Sequence, residues 1–260
     1  KRETISMKNV FVTVSEKLSK LADVARGNVG FLVLSVLVIL VLLASAYAAE
    51  AYIAKKTGTK HKGEGLKVRR MTIISMLSAL SVILMLFKFP LWFVPSFYTI
   101  DFSELPVIVG AFTLGPVAGI IIEFVKIVLN LLINGTYTAF VGEFANFIIG
   151  CAFVIPASFF YYLKKTRKNA ILGLSIGTLV AAFAGGILNA YMLLPKYAEV
   201  MGTPISTFID AGTEKNQLIS GMSSFILLGV TPFNIFKYAM VSAITLLIYK
   251  KISHILKSNK

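Results

Sequence analysis

Apolar stretches of about 20 residues recur along this chain, the length a helix needs to cross the hydrocarbon core of a bilayer. Short polar, basic or Gly/Pro-containing segments separate them. The 260 residues are 57% hydrophobic, with a mean hydropathy of +0.80, too apolar for a soluble globular domain. The expected fold class is therefore an all-α integral membrane protein. The apolar runs predict spans over residues 31–53, 71–87, 103–114, 116–133, 139–163, 170–194 and 218–249. Pro90 and Pro95 keep the aromatic-rich stretch 88–101 out of a helix. Ser103 is the expected N-cap of the span that follows, with Asp101 and Glu104 near the positive end of its dipole. Gly115-Pro116 and Asn134-Gly135 punctuate the middle of the chain. Residues 195–216 read as a long loop.

The formal charge of +14 would suit nucleic acid, but its placement argues for a membrane. Lysines and arginines gather at 55–70, 164–168 and 250–260, between or after apolar runs, in the manner of cytoplasmic loops. With 55–70 set inside, the successive spans bring 164–168 and the basic tail to the same side and leave the net-acidic 195–216 outside. No stripe of basic and aromatic residues lies on a soluble face, so nucleic-acid binding is excluded from the reading. The predicted organisation is a polar segment 1–28, an extra transmembrane helix 29–54, a basic cytoplasmic linker 55–70, a six-helix domain 71–251 and a cytoplasmic tail 252–260. Ala44-Ser-Ala-Tyr-Ala48 has the small-residue pattern of a signal cleavage site. Cleavage would leave 55–70 outside, against the charge rule, so an uncleaved anchor fits better. No internal repeat points to the inverted halves of a secondary transporter.

Chemistry is sparse. One cysteine, Cys151, lies in an apolar run, and His61 and His254 lie in basic segments, so no metal cage is visible. No G-x-x-x-x-G-K-[ST] loop occurs. An enzyme would need a nucleophile with a base, or a metal, and the histidines suit neither.

What does demand explanation is polarity at membrane depth. Lys237 sits in the run 218–249, three residues after Asn234, so the two share a helical face. An ammonium there costs about 3 kcal/mol or more unless compensated. A hydrogen bond from Asn234 to a backbone carbonyl freed by Pro232 is one reading. The other is a polar ligand: an Asn amide both donates and accepts, and a lysine donates only. Glu123, Lys126 and Asn130 share a face of another span and read as a self-neutralising ion pair with an amide neighbour. Glu143 fits either the outer surface or a cavity wall. Asn189 follows Ala184-Gly-Gly186, small residues that permit close helix contact or leave room for a flat ligand. Trp92, Phe93, Phe97 and Tyr98 could cap a flat aromatic, or anchor the chain at the interface. Ser75 and Ala79 form a small-xxx-small step.

These marks occur in a telling order: Phe89-Pro-Leu-Trp-Phe-Val-Pro, Ile100-Asp-Phe-Ser-Glu-Leu-Pro106, Leu114-Gly-Pro116, Gly142-Glu-Phe-Ala-Asn146, Leu188-Asn189 and Pro232-Phe-Asn-Ile-Phe-Lys237. Over about 180 residues the chain resembles the substrate-binding S components of energy-coupling factor (ECF) vitamin transporters, specifically the riboflavin-binding members. The resemblance implies a six-helix bundle, here with one extra N-terminal helix, both ends of the six-helix part cytoplasmic, and a pocket near the outer face. It implies that Asn189, Asn234 and Lys237 meet the isoalloxazine edge. Phe97, Thr99 and Asp101, with Gly142 and Glu143, would meet the ribityl chain. Ser75 and Ala79 would dock a transmembrane coupling protein, with Ser in the first place of the family's Ala-x-x-x-Ala. Two cytosolic ATPase subunits would supply energy, riboflavin would be cargo rather than cofactor, and the chain would sit in a bacterial plasma membrane among lipid. Thiamin is cationic and a central lysine would repel it; folate would ask for more basic groups. Pantothenate would be a further vitamin of this class. Flavin mononucleotide is a further alternative, with Lys126 or Lys88 to meet its phosphate. A non-transport assembly subunit would leave Lys237 without a ligand.

Overall fold

A computed structural model describes residues 7–58 and 68–257, with side-chain surroundings for 16–58 and 68–248. The middle of the predicted linker, with His61, falls outside the described residues, as do residues 258–260 of the tail and the side-chain surroundings of His254. The described helices are α1 (Met7–Gly27), α2 (Val29–Thr57), α3 (Val68–Leu86), α4 (Glu104–Leu114), α5 (Pro116–Asn134), α6 (Val141–Lys164), α7 (Arg167–Leu188), α8 (Leu194–Met201), α9 (Ser206–Thr213), α10 (Met222–Phe225) and α11 (Thr231–Lys257). Among the described residues, six helical stretches are long and apolar enough to cross a membrane: Val29–Thr57, Val68–Leu86, Pro116–Asn134, Val141–Lys164, Arg167–Met201 and Met222–Ile248.

The third predicted span, 103–114, is α4, which has 11 residues, or about 16 Å at 1.5 Å per residue, too short to cross alone. The chain before it is folded against the bundle. Antiparallel strands β1 (Phe89–Pro90) and β2 (Thr99–Ile100) pair Phe89 with Ile100 and Pro90 with Thr99. Leu91, Val94, Tyr98 and Ile100 of this segment are buried in a cluster with Phe225, Val230 and Phe233.

The N-cap of α4 differs from expectation. Ser103 has αR geometry and makes no side-chain cap bond. Its N–H donates to Asp101 Oδ1 at 2.9 Å, and Ser81 Oγ donates to its carbonyl. A carboxylate, a stronger acceptor than a hydroxyl, has taken the cap's role.

The long loop expected over 195–216 is also corrected. It holds α8 and α9. Pro195 lies at the head of α8, directly after a π-helical turn rather than at a free helix end, and the helix ends at Gly202 in the left-handed region. The run from α7 continues into α8 through a π-helical turn, Asn189–Leu193, and a second π turn, Ile226–Val230, joins α10 to α11.

The main core joins α4, α5, α6, α7 and α11, with α6 lying most extensively along α7. Helix α2 packs on α5 and α6 from the rim. Only 11% of its most apolar stretch is buried, against 56% for α6, so most of α2 lies outside the core of the bundle. Ala46, within the cleavage-like motif, is fully buried, and α2 runs unbroken through it.

Candidate functional site

A cavity of about 200 Å³ opens between β2, α6, the first π turn and α11. Seven of the residues expected at the site line it: Phe97, Thr99, Asp101, Gly142, Asn189, Asn234 and Lys237. Glu143 lines an adjoining chamber of about 290 Å³ that shares Phe97, Gly142, Lys88 and Asn146 with the first. Residues up to 140 positions apart in the chain are thus gathered around one space.

Lys237 is 9% exposed and its Nζ lies 3.1 Å from Asp101 Oδ2. The compensation it requires is therefore supplied first by this carboxylate. Asp101 is itself held tightly. Burial alone would push its carboxyl up, but the Lys237 and Lys126 ammoniums and hydrogen bonds from Ser103 hold it down to about 2, so it is ionised near neutrality. An ammonium has three N–H donors, and Asp101 takes one.

The two amides are anchored in the same manner. Asn189 Nδ2 donates to the Gly185 carbonyl at 2.8 Å, and its Oδ1 accepts from the Tyr98 hydroxyl at 2.6 Å. Burial pushes the Tyr98 phenol well above its ordinary range, so it keeps the proton it donates. Asn234 Nδ2 donates to the Val230 carbonyl at 2.9 Å. That carbonyl lies in the second π turn and is not the one released by Pro232, so the backbone bond and the cavity-lining position coexist. Each amide begins or follows a π turn, where the ladder is locally disturbed and side chains find carbonyls to satisfy. Gly185 makes this possible: a Cβ there would stand 2.7 Å from Asn234 Nδ2. The small residues before Asn189 therefore serve close helix contact.

The other polar cluster is separate. Lys126 Nζ lies 2.7 Å from Glu123 Oε2 and 2.8 Å from Glu104 Oε1, all three essentially inaccessible. The expected Glu123–Lys126 pair forms, with Glu104 of α4 as a second partner that the sequence did not suggest. Gly150 of α6 leaves room for both carboxylates. Asn130, the third member of that face, accepts from Asn134 Nδ2 at 2.7 Å and lines the outer chamber. Lys126 lies away from the cavity walls, so of the two lysines considered for a phosphate only Lys88 lines them.

Glu143 is half-buried; Thr136 donates to its Oε2 at 3.0 Å. Among the aromatics, Phe97 and Tyr98 line the cavity, whereas Trp92 is 77% exposed and packs edge-on to Phe93 and Phe236, as an interfacial anchor would. The wall also includes Asn146, Tyr197, Phe233 and Tyr238, which were not anticipated. Asn146 carried a usable signal, since it lies four residues from Gly142 on one helix face. Ser75 and Ala79 are exposed on α3, away from the cavity. Among the described residues, no group of three or more His, Cys, Asp and Glu is placed to hold a metal.

Residues 69–249 match the family model described as ECF transporter, substrate-specific component. Riboflavin transporter RibU of Staphylococcus aureus is 36% identical over 189 residues, covering 73% of this chain and 93% of the relative. Riboflavin transporter FmnP of Bacillus subtilis is 31% identical over 188 residues, covering 72% and 93% respectively. A solved structure of the S component of a bacterial ECF transporter superposes with a TM-score of 0.58 at 37% identity, covering 73% of this chain and 98% of the other.

Proposed function

The chain belongs to the family of ECF transporter substrate-specific components, and from that premise we propose that it is the riboflavin-binding membrane subunit of a vitamin importer. One observation carries the reading to the vitamin: an ion pair and two anchored amides line a cavity whose wall also holds Lys88, Thr99 and Asn146 among aromatic side chains such as Phe97, Tyr98 and Phe233. A flat, neutral ring system with a rim of alternating donors and acceptors suits that wall. Asn234 keeps one N–H and its carbonyl oxygen for an imide edge, and Asn189 keeps one N–H. Lys237 offers its remaining donors to a carbonyl or ring nitrogen. Because each of these side chains is already tied to backbone or to a partner, little rotamer freedom is lost on binding. Thr99 and Asp101 of the cavity, with Gly142 and Glu143 toward the outer chamber, would meet the ribityl hydroxyls, and Phe97 would cover the ring.

In this reading residues 71–251 form the binding domain and 29–54 an added helix. Riboflavin enters from outside, and the basic linker and C-terminus lie in the cytoplasm, as the charge distribution requires. Energy comes from a transmembrane coupling protein and two cytosolic ATPase subunits. The exposed Ser75–Ala79 step on α3 gives the coupling protein a close approach.

The test is purification in detergent or nanodiscs. Copurified flavin absorbance and saturable quenching of riboflavin emission are expected, with flavin mononucleotide competing only weakly. Absence of both flavin signals would dismiss the reading; stronger binding of the mononucleotide, lost in Lys88→Ala, would move the assignment to that ligand.

A further inference from the structure

Residues 7–57 precede the region matched to the family, yet they are not merely appended to the bundle. They meet it at three levels. At the outer end, the Phe31 ring packs edge-on to Phe144 with centroids 5.4 Å apart, and Lys17 Nζ donates to the Ile133 carbonyl at 2.7 Å. Midway, Ala46 is buried in a cluster with Ile120, Ile127, Phe147 and Cys151. At the inner end, Glu50 Oε1 accepts the Val117 N–H at 3.0 Å, occupying the N-terminus of α5 where a carboxylate is favoured.

The outer contacts fall on a particular place. Ile133 immediately precedes Asn134 and Gly135, and Phe144 lies between Glu143 and Ala145; all four of those neighbours line the cavity or its outer chamber. The connection between them is strained. Ala139 and Phe140 are consecutive non-glycine residues with φ of 51° and 73°, a conformation that persists only when its surroundings hold it. From within, Thr136 Oγ1 accepts from Phe140 N–H at 2.9 Å, and Thr138 Oγ1 accepts from Gly142 N–H at 2.8 Å. From behind, the support is Phe31 and Lys17.

We infer that the outer end of the N-terminal helix pair is a positioning element for the binding site: Phe31 and Lys17 hold the strained α5–α6 junction and so slow the escape of bound flavin. Neither residue lines the cavity or its outer chamber. The inference rests on the riboflavin reading above.

Riboflavin release from the full chain in nanodiscs, followed by recovery of flavin emission, tests it. Loss of an edge-on ring pair predicts release about twofold to tenfold faster in Phe31→Ala. A smaller acceleration is expected in Lys17→Met, whose lysine is exposed, with partial recovery in Phe31→Leu. Association rates should stay near wild type. Glu50→Gln is the comparison, since it weakens the same helix pair far from the mouth. It should lower the melting temperature and leave release unchanged. If wild type binds riboflavin but Phe31→Ala and Lys17→Met release it at the wild-type rate, the inference is overturned while the functional reading stands. It is equally overturned if Glu50→Gln accelerates release as much as Phe31→Ala, because the effect would then be general. If wild type binds no riboflavin, both fall.

Discussion

Lys126 and Lys237 place the same chemical group at membrane depth and are treated in opposite ways. Lys126 is 1% exposed and held by two carboxylates, Glu104 and Glu123, away from the cavity. Lys237 is held by one carboxylate, Asp101, and lines the cavity. A fully enclosed cation needs its donors satisfied internally, whereas one at a cavity wall can keep donors in reserve. The comparison assigns Lys126 to the scaffold and Lys237 to the site, although both stood out in the sequence for the same reason.

The sharpest way to break this contrast is Lys126→Met. Two buried carboxylates would lose their common partner, and a loss of about 3 to 5 kcal/mol is expected, read as thermal melting in detergent. Melting like wild type would end the scaffold assignment. Next comes Lys237→Ala, expected to weaken riboflavin binding by about 1 to 3 kcal/mol in a fluorescence titration. It should also lower stability, since Asp101 is left unpaired. The double variant Asp101→Asn, Lys237→Met should recover stability without recovering affinity; joint recovery would separate Lys237 from the ligand. Asn234→Leu is expected to insert normally and bind about 1 kcal/mol more weakly. Poor insertion with normal affinity in the surviving protein would instead make Asn234 a scaffold residue.

The pH dependence should be small. The Asp101 carboxyl is held at about 2, below its ordinary 3.8. Its contribution is present above the ordinary value and is lost as pH falls toward 2. From about pH 5 to pH 8, melting should show no change that Asp101→Asn removes. The smallest effect on binding belongs to Ser75→Leu with Ala79→Leu. Affinity in isolation should be unaltered while uptake by the assembled transporter falls; intact uptake would remove this face from coupling.

Much of this was legible in the sequence because membrane spans announce themselves by length and by the charge between them. The predicted run 71–87 lies within a residue or three of Val68–Leu86, and 116–133 within one of Pro116–Asn134. Of the cavity-lining residues, Asn189, Asn234 and Lys237 were legible as polar side chains in apolar surroundings, whereas Thr99 and Gly142 came in only with the family resemblance. Pairings across long separations were not. Asp101 and Lys237 are 136 residues apart, and Glu104 reaches Lys126 from another helix. Neither distance leaves a trace in local periodicity. Helices α8 and α9 were hidden for another reason: they are short and interrupted by Gly202-Thr-Pro204, so their local composition matches that of a loop.

The two π turns set a geometric rule for anyone altering the pocket. Each is a one-residue bulge absorbed without breaking its helix, at Asn189–Leu193 and Ile226–Val230. Rewinding the second as ordinary α-helix with every residue kept would swing Asn234 and Lys237 together by about 100° around the axis of α11, whereas deleting one residue from the turn would let the helix rewind with both still in phase. Ligand choice in this scaffold is thus indexed by helical phase as well as by side-chain identity, and grafting those two side chains onto an unbulged helix would aim them elsewhere.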